Sequence, residues 1–241
     1  MMIKGVIFDM FETLVTHYKS PLYFGSEIAD DLGINKRDFL KIWDEYEEER
    51  TIGKVDLEFV LSDILTRYNK YSLDAIRFVV EKRVKIKQQC FENISEEIVA
   101  MLDILKKKKI KIGLISNCFS EEVEVIKDSI LYNYFDVCCL SYEMGIKKPD
   151  QRIFRECVKM LGVKENECIY IGDGGSNELD AAKSVGIRAV QATWFISEQS
   201  KQYKIKPDVE HLNRPINIEK LISALDVKNR QNWEYVPDDS C

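Results

Sequence analysis

From residue 95 onward the chain repeats one alternation, an amphipathic helical run followed by a short apolar strand, and few architectures tolerate that pattern. Ser95-Glu96-Glu97 opens a helical run to Lys109, and its four lysines at 106–109 suit the negative end of a helix dipole. A buried strand is expected at 110–116, a helix at 121–131, a strand at 135–140, and a helix opened by Pro149 that reaches Leu161. A strand at 168–171 then ends in Gly172-Asp173, a helix spans 177–185, and a last strand spans 188–192. Strands returning at this period need helical crossovers, which predicts an α/β fold: a doubly wound parallel sheet with helices on both faces.

The sheet has an earlier member. Gly5-Val6-Ile7-Phe8 is an apolar run that delivers Asp9 to the start of a loop. Between this strand and residue 95 the helical period takes over, with runs at 22–32, 36–49, 57–68 and 73–86 separated by Gly33, Gly53 and Asn69. Four such helices predict a helical domain at 16–90 inserted into a core built from 1–15 and 91–228. Its aromatics Trp43, Tyr46, Phe59 and Phe78 are read as core, and the charged run 45–50 as a solvated face. Arg50, at the end of its helix ahead of Gly53, is the member of that run that could meet a ligand. Beyond Thr193 the signal is weak, with a closing helix expected at 216–225 and a loosely ordered tail at 229–241.

Charge and cysteine usage remove several function classes. The net charge of −6 opposes binding to nucleic acid or to an anionic membrane surface. No apolar run approaches the roughly 20 residues of a membrane span, and no signal-peptide pattern precedes Asp9, so a cytoplasmic location is expected. Seven cysteines without a CxxC pair, beside only His17 and His211, fit reduced core thiols rather than a zinc site. Cys118 is read as a bystander thiol and His17 as structural or exposed. A small-molecule substrate and a monomer or homodimer are expected.

Four strand ends carry polar residues: Asp9, Ser116-Asn117, Lys148, and Asp173 with Glu178. In a doubly wound sheet those ends gather over one crevice. Carboxylates from separate loops can hold Mg²⁺, a lysine keeps Asp9 ionised, and a serine hydroxyl can donate to a phosphoryl oxygen. An ionised aspartate in that setting is a nucleophile for phosphoryl transfer.

The order Phe8-Asp9-x-x-x-Thr13-Leu14, Ile115-Ser116-Asn117, Lys148-Pro149-Asp150 with Ile153-Phe154, and Ile171-Gly172-Asp173 with Glu178 resembles the four motifs of the haloacid dehalogenase superfamily of hydrolases. The match covers residues 2–195, and the helical stretch sits where that family inserts a cap. The resemblance implies a Rossmann-like core, Asp9 as nucleophile and Mg²⁺ ligand, the backbone carbonyl of Phe11 as a second ligand, and Asp173 with Glu178 completing the metal side. It also implies Lys148 and Ser116 holding the phosphoryl group, Asn117 and Thr13 in substrate binding, and a substrate chosen by the cap.

Two positions depart from that pattern. Phe11 stands where the family's phosphatases carry a second aspartate, the general acid and base, and Glu12 stands where glycine is usual. A backbone carbonyl survives the first change; proton transfer to an alkoxide leaving group does not. The expected activity is Mg²⁺-dependent hydrolysis of a small phosphorylated metabolite through an aspartyl-phosphate on Asp9. The alternatives are a carbon–halogen hydrolase, whose relatives carry an aromatic at the position of Phe11, and a catalytically weakened binding or regulatory protein. Glu12 as a replacement acid is weighed against a solvated or structural Glu12, and the latter reading is preferred.

Overall fold

The computed structural model describes residues 2–196 and 205–231. Six parallel strands form one sheet: β1 (Gly5–Phe8), β2 (Lys111–Ser116), β3 (Val137–Leu140), β4 (Cys168–Gly172), β5 (Arg188–Ala192) and β6 (Glu210–Leu212), ordered β3-β2-β1-β4-β5-β6. All four residues of β1 are buried because both of its faces are covered, which explains an uninterrupted apolar run in place of alternation. Helices α6 (Glu96–Lys107), α7 (Ser120–Asp128) and α11 (Ile218–Gln231) bury Leu102, Ile126 and Ile222 against the face carrying Val6, Phe8 and Ile171. Helices α9 (Gln151–Leu161) and α10 (Glu178–Ser184) pack Phe154, Cys157 and Leu179 on the other face, against Ile7, Ile115 and Tyr170.

The strand order reverses at β1. From there the chain runs outward through β2 and β3 on one side and through β4, β5 and β6 on the other. Phe8 pairs with Ile171 across the reversal, so the residues that follow each strand, Asp9 and Asp173, leave the sheet side by side. Ligands in such sheets bind at this switch point.

Between β1 and β2 stands a helical insertion: α1 (Gly25–Asp31), α2 (Lys36–Glu45), α3 (Glu47–Thr51), α4 (Leu57–Arg67) and α5 (Leu73–Glu92). It has its own core of Ile28, Phe39, Leu57, Leu61, Ile64 and Val79. Three of its helices, α2, α4 and α5, begin on side-chain caps, with Asn35, Asp56 and Ser72 each accepting from backbone N–H groups of the first turn.

Several expectations are corrected. Glu210–Leu212 adds a sixth strand, three residues long, beyond the strand taken as last. The expected helix 36–49 is two helices broken at Tyr46, whose hydroxyl donates to Asp63 on α4 at 2.9 Å. The expected helix 121–131 is α7 followed by a 3₁₀ turn, Ile130–Tyr134, and α8 (Ser141–Met144) was not anticipated. Ser95 stands at the start of α6 without a side-chain cap bond. The helix expected from Pro149 starts at Gln151, where Asp150 accepts from the backbone N–H of Arg152 at 2.8 Å. Phe59 and Phe78, read as core, are 52% and 51% exposed, because each sits on the outer side of its helix. The closing helix is longer than expected and includes 229–231; the rest of the expected tail, 232–241 with Cys241, lies outside the described residues. The other six cysteines are free thiols. No helix among the described residues is long and apolar enough to cross a membrane.

Candidate active site

Asp9 follows β1, and its backbone N–H donates to the Ile171 carbonyl at 2.9 Å, extending the ladder to the mouth of the crevice. Its carboxylate meets the Lys148 ammonium, which also donates to Glu178 Oε2 at 2.5 Å and to the Tyr170 hydroxyl at 3.2 Å. Tyr170 in turn donates to Glu178 Oε2 at 2.7 Å. Asp173 accepts from the Gly175 N–H at 2.9 Å, while its own carbonyl is held by Gln191 Nε2 at 2.7 Å. Asp9, Asp173 and Glu178, all buried, present one oxygen each within 4.8 Å of one another.

Three carboxylates and one ammonium are too negative a set to bury unaided. Burial pushes Asp9 up to about 7, Lys148 counteracting and Glu178 adding to the rise. Asp173 goes up to about 8 through burial and then through Glu178 and Asp9. Lys148 is raised despite its burial, because Asp9 and Glu178 flank it. A hard divalent cation relieves this repulsion, and an all-oxygen donor set is the kind Mg²⁺ takes. Gly172 shows how tightly the set is built: a Cβ there would lie 2.0 Å from Glu178 Oε1. The Phe11 carbonyl accepts no hydrogen bond among the described residues.

The remaining motif residues hold this set in place. Asn117 clamps the Lys148 backbone, accepting from its N–H at 2.8 Å and donating to its carbonyl at 3.0 Å. Thr13 is buried with its hydroxyl 3.5 Å from Asp9 Oδ2, and its carbonyl accepts from the Trp194 indole at 2.9 Å. Ser116 is buried at the end of β2, its Oγ 3.5 Å from the Asn117 carbonyl. A cavity of about 340 Å³ opens between core and insertion, and Asp9, Phe11, Asn117, Lys148 and Glu178 line it; Ser116, Thr13 and Asp173 do not. Cys118 lies beneath, buried, with its thiol pushed up to about 12 by burial, which keeps it protonated and unreactive.

Glu12 is turned away from the crevice. It sits at φ +59°, accepting from Thr16 Oγ1 at 2.6 Å and from the His17 backbone N–H at 2.9 Å. Its Oε1 also lies 3.2 Å from His17 Nδ1, while the Lys87 ammonium donates to His17 Nε2 at 2.7 Å. With Nε2 accepting, the ring proton sits on Nδ1, facing Glu12. Burial and then Lys87 pull the imidazole below its ordinary value, so the ring is neutral. It stacks on Phe11, centroids 4.5 Å apart and planes 22° apart, and the two rings form one wall of the cavity.

The cap side of the cavity comes from the insertion; of its charged residues Arg50 is the one expected from the sequence to meet a ligand, whereas Arg83 and Lys87 were not foreseen. Arg50, Arg83 and Lys87 line the cavity, each at most 3% exposed, with Trp43 beside them. They face two acids on α7: Lys87 pairs with Glu122 Oε1 at 2.6 Å, and Arg83 and Arg50 converge on Glu121 Oε1. Against the cost of burial, Arg83 and Arg50 hold Glu121 down to about 2. The sequence carried one signal for this: Arg83 and Lys87 continue the buried stripe of Ile76 and Val79 on α5 at helical spacing.

A family model for haloacid dehalogenase-like hydrolases matches residues 3–186, more than half of the chain. The chain belongs to that family. The haloacid dehalogenase-like chain is 32% identical over 113 residues, 46% of its length, to the Rhythmically expressed gene 2 protein of Drosophila melanogaster, of which the match spans 42%. It is 25% identical over 229 residues to the glyceraldehyde 3-phosphate phosphatase of Methanocaldococcus jannaschii, covering 90% of this chain and 93% of that protein. A crystal structure of a 2-haloacid dehalogenase from Pseudomonas syringae pv. Tomato DC3000 superposes with a TM-score of 0.66 at 20% identity, covering 93% of this chain and all of the other. Within this family, the six-stranded parallel sheet is the Rossmann-like hydrolase core and the helical insertion is its cap.

Proposed function

We propose that this hydrolase is a Mg²⁺-dependent phosphatase of a small phosphorylated metabolite, with Asp9 as the phosphoryl acceptor. The observation that carries the reading is the buried trio Asp9, Asp173 and Glu178 within 4.8 Å, a cluster whose mutual repulsion calls for a cation. Asp9, Asp173, Glu178 and the Phe11 carbonyl are the groups that would hold Mg²⁺. Bound there, the ion supplies Lewis-acid charge for the phosphoryl oxygens.

In the first step an Asp9 oxygen attacks phosphorus, the bond from phosphorus to the leaving-group oxygen breaks, and the phosphoryl group is carried as an acyl phosphate. Water then attacks phosphorus, the bond to Asp9 breaks, and inorganic phosphate leaves. Lys148, held by the Asn117 clamp, balances charge on the transferring group; Ser116 and Thr13 support the loops that present it. No carboxylate stands where the leaving group needs a proton, because Phe11 occupies the position and Glu12 is committed to Thr16 and His17. The preferred substrates are therefore acyl or aryl phosphates, whose leaving groups depart as stable anions. The reading places the protein in the cytoplasm as a monomer or homodimer.

The test is turnover of acetyl phosphate and p-nitrophenyl phosphate with Mg²⁺ and with EDTA, by the unmodified protein and by Asp9→Asn. Mg²⁺-dependent turnover lost in Asp9→Asn, with Asp9 identified as the phosphorylated residue by peptide mass spectrometry, is expected. A protein inert to aryl, acyl and alkyl phosphates alike, or one releasing halide from a 2-haloacid in EDTA, refutes it.

A further inference from the structure

The cap wall of the cavity carries one positive charge more than its protein partners neutralise. Lys87 is matched by Glu122, but Arg83 and Arg50 share the single carboxylate of Glu121. Arg83 is well served, since its Nη1 also donates to the Tyr23 carbonyl at 2.7 Å. Arg50 is not: among the described residues its guanidinium makes one hydrogen bond, from Nη2 to Glu121 Oε1 at 3.3 Å, and its Nε–H is buried without a partner.

A guanidinium that is 1% exposed with an orphaned donor is costly unless something else completes it. Its carbon lies 3.8 Å from the centroid of the Trp43 ring and 4.2 Å from that of Phe119, so aromatic faces hold it in one orientation. Arg50, Trp43 and Phe119 all line the cavity that Asp9 and Lys148 line from the core side. The other charged residues on the cap side, Asp44 and Glu47, stand exposed at the rim, where water screens them.

We propose that the substrate carries, at the end remote from its phosphoryl group, a carboxylate that Arg50 binds against Trp43 and Phe119. A carboxylate matches the cluster in both charge and shape: the excess is a single positive charge, and a planar anion pairs with the fork of a guanidinium through two parallel hydrogen bonds. A second phosphate would over-neutralise the wall. The substrate class is thus a phosphorylated carboxylic acid, and the inference rests on Asp9 being the phosphoryl centre.

Binding of non-hydrolysable phosphonates in the presence of Mg²⁺ tests the subsite separately from the chemistry. Isothermal titration compares phosphonoacetate and phosphonobutyrate with ethylphosphonate and butylphosphonate on the unmodified protein. At least one acid is expected to bind about tenfold or more tighter than its alkyl counterpart, the margin of one charge-assisted pair. Arg50→Met should erase that margin and Arg50→Lys should keep part of it. Both variants retain the Arg83–Glu121 pair, and their folding is checked by thermal unfolding. Equal binding of acid and alkyl phosphonates to the unmodified protein, or tighter binding of methylenediphosphonate than of either acid, overturns the inference. Acid-selective binding lost in Arg50→Met, in a protein that hydrolyses no phosphate compound, would refute the phosphatase reading while leaving the subsite standing. Aryl phosphate turnover without acid selectivity would do the reverse.

Discussion

Removing Mg²⁺ should make this protein less stable as pH rises, and the size of the effect follows from the buried carboxylates. In the unfolded chain Asp9 and Asp173 titrate near about 4. In the metal-free folded protein burial and mutual repulsion hold them up to about 7 and about 8. A folded-state value raised for an acid means that the folded protein keeps a proton the unfolded chain has released. Stability therefore falls with rising pH between the two values, by about 1.4 kcal/mol per pH unit for each proton. From about pH 5 to about pH 7 Asp9 alone removes about 2 kcal/mol, and Asp173 adds a loss of similar size and sign.

A bound cation takes the place of those protons, so the Mg²⁺-loaded protein is spared the loss, and Mg²⁺ affinity rises as pH rises. The assay is the difference in unfolding temperature between Mg²⁺-loaded and EDTA-treated protein at each pH. His17 has its folded value lowered, so it works the opposite way in this window, gaining stability as pH rises, but it contributes to both samples and cancels. Glu121, held down to about 2, is ionised throughout. The gap between the two curves should widen by about 10–20 °C from about pH 5 to about pH 7, since the two losses add. Titration calorimetry near pH 6 should show about one to two protons released per ion. A gap that stays constant with pH, or Mg²⁺ uptake without proton release, would refute the assignment of the trio as the metal site.

Three substitutions probe the rest of the site. Phe11→Asp places a carboxylate where the leaving group needs a proton, and should raise kcat for alkyl phosphates by about 10²- to 10⁴-fold while changing aryl phosphates little; a fall for both classes would show that the ring serves the native reaction. Gly172→Ala puts a Cβ 2.0 Å from Glu178 Oε1, so Mg²⁺ affinity measured by calorimetry should drop by about tenfold or more. Gly53→Ala asks for a side chain at φ +71° and 2.1 Å from the Tyr142 carbonyl, across the seam between cap and core. Its cost in urea unfolding should exceed about 1 kcal/mol, and a neutral result would mean the seam is looser than drawn.

The sequence made the core legible because the core obeys local rules. Apolar β-branched runs became β1, β2, β4 and β5, and the polar residues after β1, β2 and β4 (Asp9, Asn117 and Asp173) met at the switch point, because parallel strands bring their carboxyl ends to one side. What stayed hidden depends on pairing across long separations. β6 is three residues with only Leu212 buried, and its strand character comes from β5 alongside rather than from its own composition. The break at Tyr46 comes from a hydroxyl contact to a different helix. Arg83 and Lys87 sit on a buried stripe, yet charge at those positions reads as surface until Glu121 and Glu122 arrive from α7 in the core domain.

The displaced acid ties these observations together. In this chain the carboxylate that would stand at position 11 is found one residue later, at a backbone angle that costs a non-glycine residue about 1–2 kcal/mol. Bonds from Thr16 and His17 to the Glu12 carboxylate offset that cost, and through them Glu12 fixes the ring of His17 against Phe11. Phe11 thus leaves the crevice without a proton donor at that position and gives it an aromatic wall, in a cavity whose cap side carries uncompensated positive charge. On the proposed reading the leaving portion of a substrate meets no proton donor at Phe11, while Arg50 holds a carboxylate at its far end. The missing second aspartate then limits which leaving groups can depart unprotonated, and Arg50 limits which substrates are held, so the first acts on turnover and the second on binding.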